Sequence, residues 1–109
     1  MKKTSLYSEH VKLNAKLVDF AGFQMPIQYS GIIEEHLAVR KSCGIFDVSH
    51  MGEFILSGSG ATDFLNEITI NDVSKINEWQ AQYSAMCYEN GGIVDDILVY
   101  KYPEHYMLV

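Results

Sequence analysis

The stretch Asn90-Gly91-Gly92-Ile93-Val94-Asp95-Asp96-Ile97-Leu98-Val99-Tyr100-Lys101-Tyr102 decides how the chain is read. Without Asp95 and Asp96 it is a hairpin arm, an Asn-Gly turn followed by a β-branched and aromatic run. Ile, Val and Leu on both sides of the pair predict a strand covered on both faces. A carboxylate in such a strand is desolvated, paired or used. Successive strand residues point to opposite faces, so the two carboxylates do not share one ligand unless a bulge intervenes.

Working back from the turn gives a register. Read as a two-residue type I′ turn, Asn90-Gly91 sets Glu89 opposite Gly92, Cys87 opposite Val94, Ala85 opposite Asp96 and Tyr83 opposite Leu98. Asp96 then shares its face with Tyr83, Ala85, Cys87, Val94, Leu98, Tyr100 and Tyr102. Asp95 shares the other with Ser84, Met86, Tyr88, Ile93, Ile97 and Val99. Two tyrosines beside a small alanine make a flat surface with polar tips, suited to a planar ligand. Desolvation would raise the aspartate's pKa, and such a carboxylate can accept hydrogen bonds from ligand N–H groups and exchange a proton with them. With residues 105–109 the hairpin predicts a three-strand meander over 81–88, 93–102 and 105–109.

Upstream, Ser59-Gly60 opens a helix whose Ala61, Phe64, Leu65 and Ile68 fit an apolar stripe, ending near Asn71-Asp72. Residues 72–79 read as a loop anchored by Val73 and Ile76. An earlier helix starts at Ser30 or Gly31, with Glu34 and Glu35 in its first turn and Arg40 and Lys41 in its last. Gly44 is placed to cap it in a left-handed conformation, and Ile33, Leu37, Val39 and Cys43 supply its apolar side. Between the helices, residues 44–58 read as two extended segments joined near Ser49-His50. Residues 5–29 have no helical period and contain two short extended pieces around Ala21-Gly22, with Pro26 confining the second to an edge. The order is α+β with two helices and a mainly antiparallel sheet.

Composition narrows the function. A chain of 109 residues with 48% hydrophobic and 20% charged residues is globular and of single-domain size. A net charge of −6 without Lys/Arg clusters argues against nucleic acid and anionic membranes as partners. There is no run of membrane-spanning length and no apolar signal core after Met1-Lys2-Lys3, so the expected location is the cytoplasm. Cys43 and Cys87 lack CxxC spacing; a single disulfide fits them, and reduced thiols are the simpler reading. His10, His36, His50 and His105 have no metal-ligand spacing, and no metal site is expected. A Ser49-His50-Asp47 triad lacks a Gly-x-Ser-x-Gly elbow, and Gly58-Ser59-Gly60 lacks a Walker lysine. The last residues, Tyr106-Met107-Leu108-Val109, fall inside the third strand of the meander, which reads as a fragment of something longer.

Six stretches together resemble the aminomethyltransferase (T-protein) family of the glycine cleavage system. They are Val18-Asp19-Phe20-Ala21-Gly22-Phe23 with Met25-Pro26, Glu35 through Val39-Arg40, Phe46-Asp47-Val48-Ser49-His50-Met51-Gly52, Asn71-Asp72, Tyr83-Ser84, and Gly91-Gly92-Ile93-Val94-Asp95-Asp96. The resemblance implies an incomplete part of a three-domain folate-binding cloverleaf. Residues 1–48 would belong to a separate lobe and 49–109 to the first part of the folate-binding domain. It implies transfer of a one-carbon unit from the aminomethyl-lipoyl arm of H-protein to tetrahydrofolate, with release of ammonia. The family's essential carboxylate, the second Asp of its Gly-Gly-x-x-Asp-Asp motif, falls on Asp96, where it would hold the reactive folate nitrogens. Implied folate contacts are Met51, Tyr83, Tyr100 and Val109. Asp95 is left as a structural hydrogen-bonder.

The family's later contacts lie beyond Val109, so the fragment alone is expected to be inactive and to self-associate through uncovered strand edges and apolar faces. Two alternatives stand beside it: a folate-dependent demethylase or folate-binding domain of an amine dehydrogenase, relatives that share the carboxylate site, and a non-enzymatic folate-binding assembly factor of the same fold.

Overall fold

The computed structural model describes every residue from Met1 to Val109. The chain forms two units, Met1–Met51 and Gly52–Val109. All strands pair antiparallel, and three α-helices accompany them. No helix is long and apolar enough to cross a membrane.

The first unit holds α1 (Tyr7–Lys12), β1 (Lys16–Phe20), β2 (Phe23–Gln28) and α2 (Ile32–Lys41). Ala21 and Gly22 both take positive φ, 50° and 80°, as a type I′ turn requires. They close the β1–β2 hairpin at Phe20–Phe23, and the Gly22 N–H donates to Asp19 Oδ1. With only two strands both are edges, so Pro26 is tolerated inside β2.

Helix α1 escapes a hydropathy reading because its one buried residue is His10. Helix α2 has the predicted charges, and Glu35 Oε1 accepts the N–H groups of Tyr29, Ser30 and Gly31, which satisfies the chain entering the helix. Two features of α2 differ from expectation. None of its residues is buried, so its apolar side chains do not pack into this unit. Gly44 does not take a left-handed conformation; the helix ends at Ser42. Glycine is needed there for close approach, because a Cβ would meet Val39 Cγ2 at 2.5 Å.

The second unit holds β3 (Phe54–Leu56), α3 (Ala61–Ile68), a 3₁₀ turn (Val73–Lys75), β4 (Ala81–Cys87), β5 (Ile93–Lys101) and β6 (Tyr106–Leu108). The sheet order is β3-β6-β5-β4, so the predicted meander gains a fourth strand from Phe54–Leu56. Residues 44–53 form no strand. Helix α3 ends at Ile68, earlier than expected, where the Thr69 hydroxyl donates to the Leu65 carbonyl. Leu65, Val73 and Val99 are fully buried and form a core with Ala61, Ile76, Ile97, Tyr106 and Leu108. Phe64, at the margin of the predicted stripe, is 49% exposed.

The β4–β5 register agrees with expectation at Tyr83–Leu98 and Ala85–Asp96, by a different route. Asn90 lacks the positive φ of a type I′ turn. The loop has three residues: the Gly91 N–H donates to the Tyr88 carbonyl, the Tyr88 N–H donates to the Gly92 carbonyl, and only Gly91 is left-handed. Cys87 therefore pairs with Ile93 and not with Val94, and Val94 is the extra residue of a bulge that restores the register at Met86–Asp95.

The core hierarchy is measurable. Leu65→Ala should cost about 3 kcal/mol and lower the urea midpoint clearly, whereas Phe64→Ala should stay within about 1 kcal/mol. Equal losses for the two would contradict the side of α3 assigned to the core.

Candidate functional site

In an antiparallel pair, directly opposed residues share a face. Asp96 opposes Ala85, Leu98 opposes Tyr83, and Tyr100 opposes both Ala81 and Met107. Leu98 and Val109 exchange backbone hydrogen bonds, Leu98 N–H to the Val109 carbonyl at 2.9 Å and Val109 N–H to the Leu98 carbonyl at 3.0 Å. Four of the five predicted residues, Asp96, Tyr83, Tyr100 and Val109, thus lie on one face of one sheet. Helix α3 and the 3₁₀ turn pack on the other, against Ile97 and Val99. Met51 lies in the first unit.

On this face the Tyr83 hydroxyl donates to Asp96 Oδ2 at 2.9 Å. That bond and the carboxylate's charge raise the Tyr83 pKa, because a phenolate there would face an anion. Tyr83 remains a donor at neutral pH, and Asp96 Oδ1 has no protein partner. The Tyr83 backbone is tied along the outer edge of β4 by Asn71, whose Nδ2 donates to the Tyr83 carbonyl at 2.7 Å.

The prediction of a desolvated carboxylate fails in this chain: Asp95 and Asp96 are exposed and Tyr83 is 66% exposed. Within this unit no helix packs on the Asp96 face as α3 packs on the other. Asp95 has the structural bond left unassigned by the sequence, its Oδ1 accepting the Asp96 N–H at 3.0 Å. Ile55 and Met107 also oppose one another on this face. Ile55 could not be found from sequence, since its placement depends on a long-range β3–β6 pairing.

The first unit contains a second polar cluster, around Asp47. Oδ2 accepts from Thr4 Oγ1 at 2.7 Å and bonds His10 Nε2 at 2.8 Å. Oδ1 accepts from the Ser49 N–H at 2.9 Å and the Ser49 hydroxyl at 2.6 Å. His10 Nδ1 meets the Tyr29 hydroxyl at 2.8 Å. Burial would raise the Asp47 carboxyl, but the bonds from Ser49, His10 and Thr4 outweigh it and hold the group well below the usual carboxylate range. Burial, with the charges of Asp47 and Glu35, raises the Tyr29 pKa.

No Ser-His-Asp triad forms, because Ser49 donates to Asp47 and His50 instead lies edge-on to Phe20 and Phe23 at 5.2 and 6.3 Å. Cys43 and Cys87 are free thiols. A groove of about 730 Å³, walled largely by apolar residues including Ile32, Val39 and Phe46, lies in the same unit; none of the five predicted residues lines it.

The family model described as GCVT N-terminal domain matches residues 6–109. An aminomethyltransferase of Chloroherpeton thalassium is 58% identical over all of this chain, and one of Desulfitobacterium hafniense is 54% identical over all of it. The crystal structure of glycine cleavage system aminomethyltransferase T from Bartonella henselae superposes with a TM-score of 0.89 at 36% identity, covering 98% of this chain. The chain spans about 30% of the length of each of these relatives.

The lowered Asp47 pKa fixes a sign. Its contribution to stability is present above the unfolded value, about 4, and is lost as pH falls through the lower folded value. Asp47→Asn should cost roughly 1–3 kcal/mol at neutral pH. That deficit should shrink between about pH 4 and 2 in thermal melts, as the wild type loses the bonds the variant already lacks. Glu35 and Asp72, also lowered, contribute acid losses common to both proteins. A deficit that stays constant with pH would contradict the network's charge.

Proposed function

Because the chain belongs to the GCVT N-terminal domain family, we propose that it is the N-terminal part of a tetrahydrofolate-dependent aminomethyltransferase of glycine cleavage, working in the cytoplasm. In this reading the lipoyl arm of H-protein supplies an aminomethyl group and tetrahydrofolate the nitrogen nucleophile that receives its carbon, giving methylenetetrahydrofolate, ammonia and dihydrolipoyl H-protein.

The observation that carries the reading is the Tyr83–Asp96 pair on a sheet face shared with Tyr100 and Val109. An exposed tyrosine ring offers area to a planar heterocycle. The bond from Tyr83 occupies Asp96 Oδ2 and leaves Oδ1 to accept from a ligand N–H. A carboxylate in that position orients the ligand's nitrogens, strengthens their nucleophilicity through the hydrogen bond and can take up the proton released as the new C–N bond forms. Asp95 is not in a position to substitute, since it lies on the other face of the strand.

In a polypeptide of the relatives' full length carrying this chain, Asp96→Asn should lower kcat/KM for the folate-dependent reaction by roughly a hundredfold to ten-thousandfold. Asp95→Asn should cost far less. Equal losses in two variants with wild-type circular dichroism would sink the assignment. Tyr83→Ala should weaken tetrahydrofolate binding by about 1 kcal/mol, roughly fivefold, in calorimetric titration. Unchanged affinity would remove Tyr83 from the site.

A further inference from the structure

Residues Asn77-Glu78-Trp79-Gln80 lead into β4 and contain the chain's single tryptophan. The Gln80 N–H donates to the Asn77 carbonyl at 3.1 Å, which closes a four-residue turn. Trp79 has a φ of 67° while Glu78 takes no positive value, and that combination is a type II turn. The third position of such a turn favours glycine, because a Cβ there crowds the backbone. A tryptophan in this conformation is strained. The surrounding bonds hold it nonetheless. The Asn77 N–H and Nδ2 both donate to Gln80 Oε1 at 3.2 Å, the Trp79 N–H donates to the Lys101 carbonyl at 2.7 Å, and the Lys101 N–H donates to the Gln80 carbonyl at 3.0 Å.

The indole gains little burial from this arrangement, since Trp79 is 73% exposed. Its aromatic neighbour is Tyr102, met edge-on with 5.5 Å between ring centroids and 85° between planes. Tyr102 in turn stacks on His105 at 4.8 Å and 16°, in the β5–β6 loop that the Tyr102 N–H closes on the His105 carbonyl at 2.9 Å. An edge-on contact covers at most one face of the indole, so at least one face stays open. An open indole face attracts cations.

The charges of this unit point to the same class of ligand. Residues 52–109 hold nine Asp and Glu side chains and two lysines. Lys75 pairs with Asp72 at 3.4 Å, and the Lys101 ammonium lies over the Tyr106 ring, 5.9 Å from its centroid. Glu78, next to Trp79 in sequence, and Glu104, next to His105, are exposed and form no ion pair. Such a field repels anions and draws cations.

We propose that Trp79, backed by Tyr102 and His105, is a recognition site for a basic segment of a partner protein, with an arginine guanidinium stacked on the open indole face and Glu78 and Glu104 balancing its charge. Arginine fits better than lysine, because its planar group stacks on an aromatic ring while its N–H groups bond carboxylates. The strained backbone then serves to present the ring to the partner. This site is independent of the folate reading.

In the full-length polypeptide, the Trp79 indole N–H resonance is identified by its loss in Trp79→Gly. The peptide Gly-Arg-Gly-Arg-Gly should shift that resonance saturably. The same peptide with citrulline for arginine keeps the shape without the charge and should bind about fivefold more weakly or worse. Followed at the Gln80 backbone amide, Trp79→Gly should bind the arginine peptide about fivefold more weakly, and Trp79→Phe should fall between. Glu78→Gln combined with Glu104→Gln should weaken binding about twofold to fivefold and flatten its salt dependence.

Trp79→Gly should also melt no lower than wild type, since the relieved strain offsets the lost contact with Tyr102. The proposal is overturned if the two peptides bind equally, if Trp79→Gly binds as well as wild type, or if the indole ignores the arginine peptide. A thymidine oligonucleotide that shifts the indole in its place would assign the ring to nucleic acid, and a shift that follows protein concentration without peptide would assign it to a second copy; either overturns the proposal. A melting temperature lowered by about 4 °C or more in Trp79→Gly would make the indole a structural part of the turn and overturn it as well.

Discussion

Alternation along β5 is the constraint on which the second unit depends. Ile97 and Val99 reach the core because Asp96 and Leu98 point away from it. A slip of one residue would turn Asp96 toward Leu65 and Val73 and bring Val99 to the surface. Exposing Val99 alone would cost about 2 kcal/mol, and an unpaired carboxylate in the core several more. Register is therefore enforced by the core, and the turn need only be compatible with it. The hairpin illustrates this, since its three-residue loop shifts the pairing by one and the bulge at Val94 shifts it back. The same alternation that closes the core puts Tyr83, Asp96, Tyr100 and Val109 together on the opposite face.

The first unit rests on a different principle. Its buried residues are Thr4, His10 and Met25, and only the last is apolar. A unit of this size with so little apolar burial has a small hydrophobic contribution to stability. Its interior is a hydrogen-bonded network centred on Asp47, and its hairpin is closed by the left-handed pair Ala21-Gly22. Such networks are directional where apolar packing is not, so they hold the Ser49 turn through specific donors rather than through burial. They are also unforgiving, because each lost partner leaves a buried polar group unpaired.

These two principles explain what could be read from sequence. Helix α3 and its Val73–Ile76 anchor follow apolar periodicity, and they were legible. The separation of Asp95 from Asp96 follows from strand alternation and survived a wrong turn type because the core sets the register. Helix α1 and the Asp47 network were not legible, because hydropathy treats His10, Thr4 and Asp47 as surface residues and their meeting spans 43 positions of sequence. The apparent strand at residues 44–48 was β-propensity in Ile45, Phe46 and Val48 with no partner strand. There the side chain of Asp47 supplies the bonds that a ladder would have made. Ile55 needed the pairing of β3 with β6, which no local signal announces.

The exposure of Asp96 bears on how the proposed chemistry can work. In water, two unit charges 4 Å apart interact by about 1 kcal/mol, and by roughly four times that at a partly desolvated protein surface. A carboxylate open to solvent also has water competing for each lone pair, so its bond to a ligand N–H adds little net free energy. For Asp96 to orient and activate a nucleophile, water must leave the Tyr83–Tyr100 face. A planar ligand lying over the exposed Tyr83 ring would remove part of that water itself. The relatives are more than three times the length of this chain, and in the proposed reading their additional residues supply the rest of the cover. The chain thus contributes a preformed acceptor and an aromatic surface, while the strength of the acceptor depends on what encloses it.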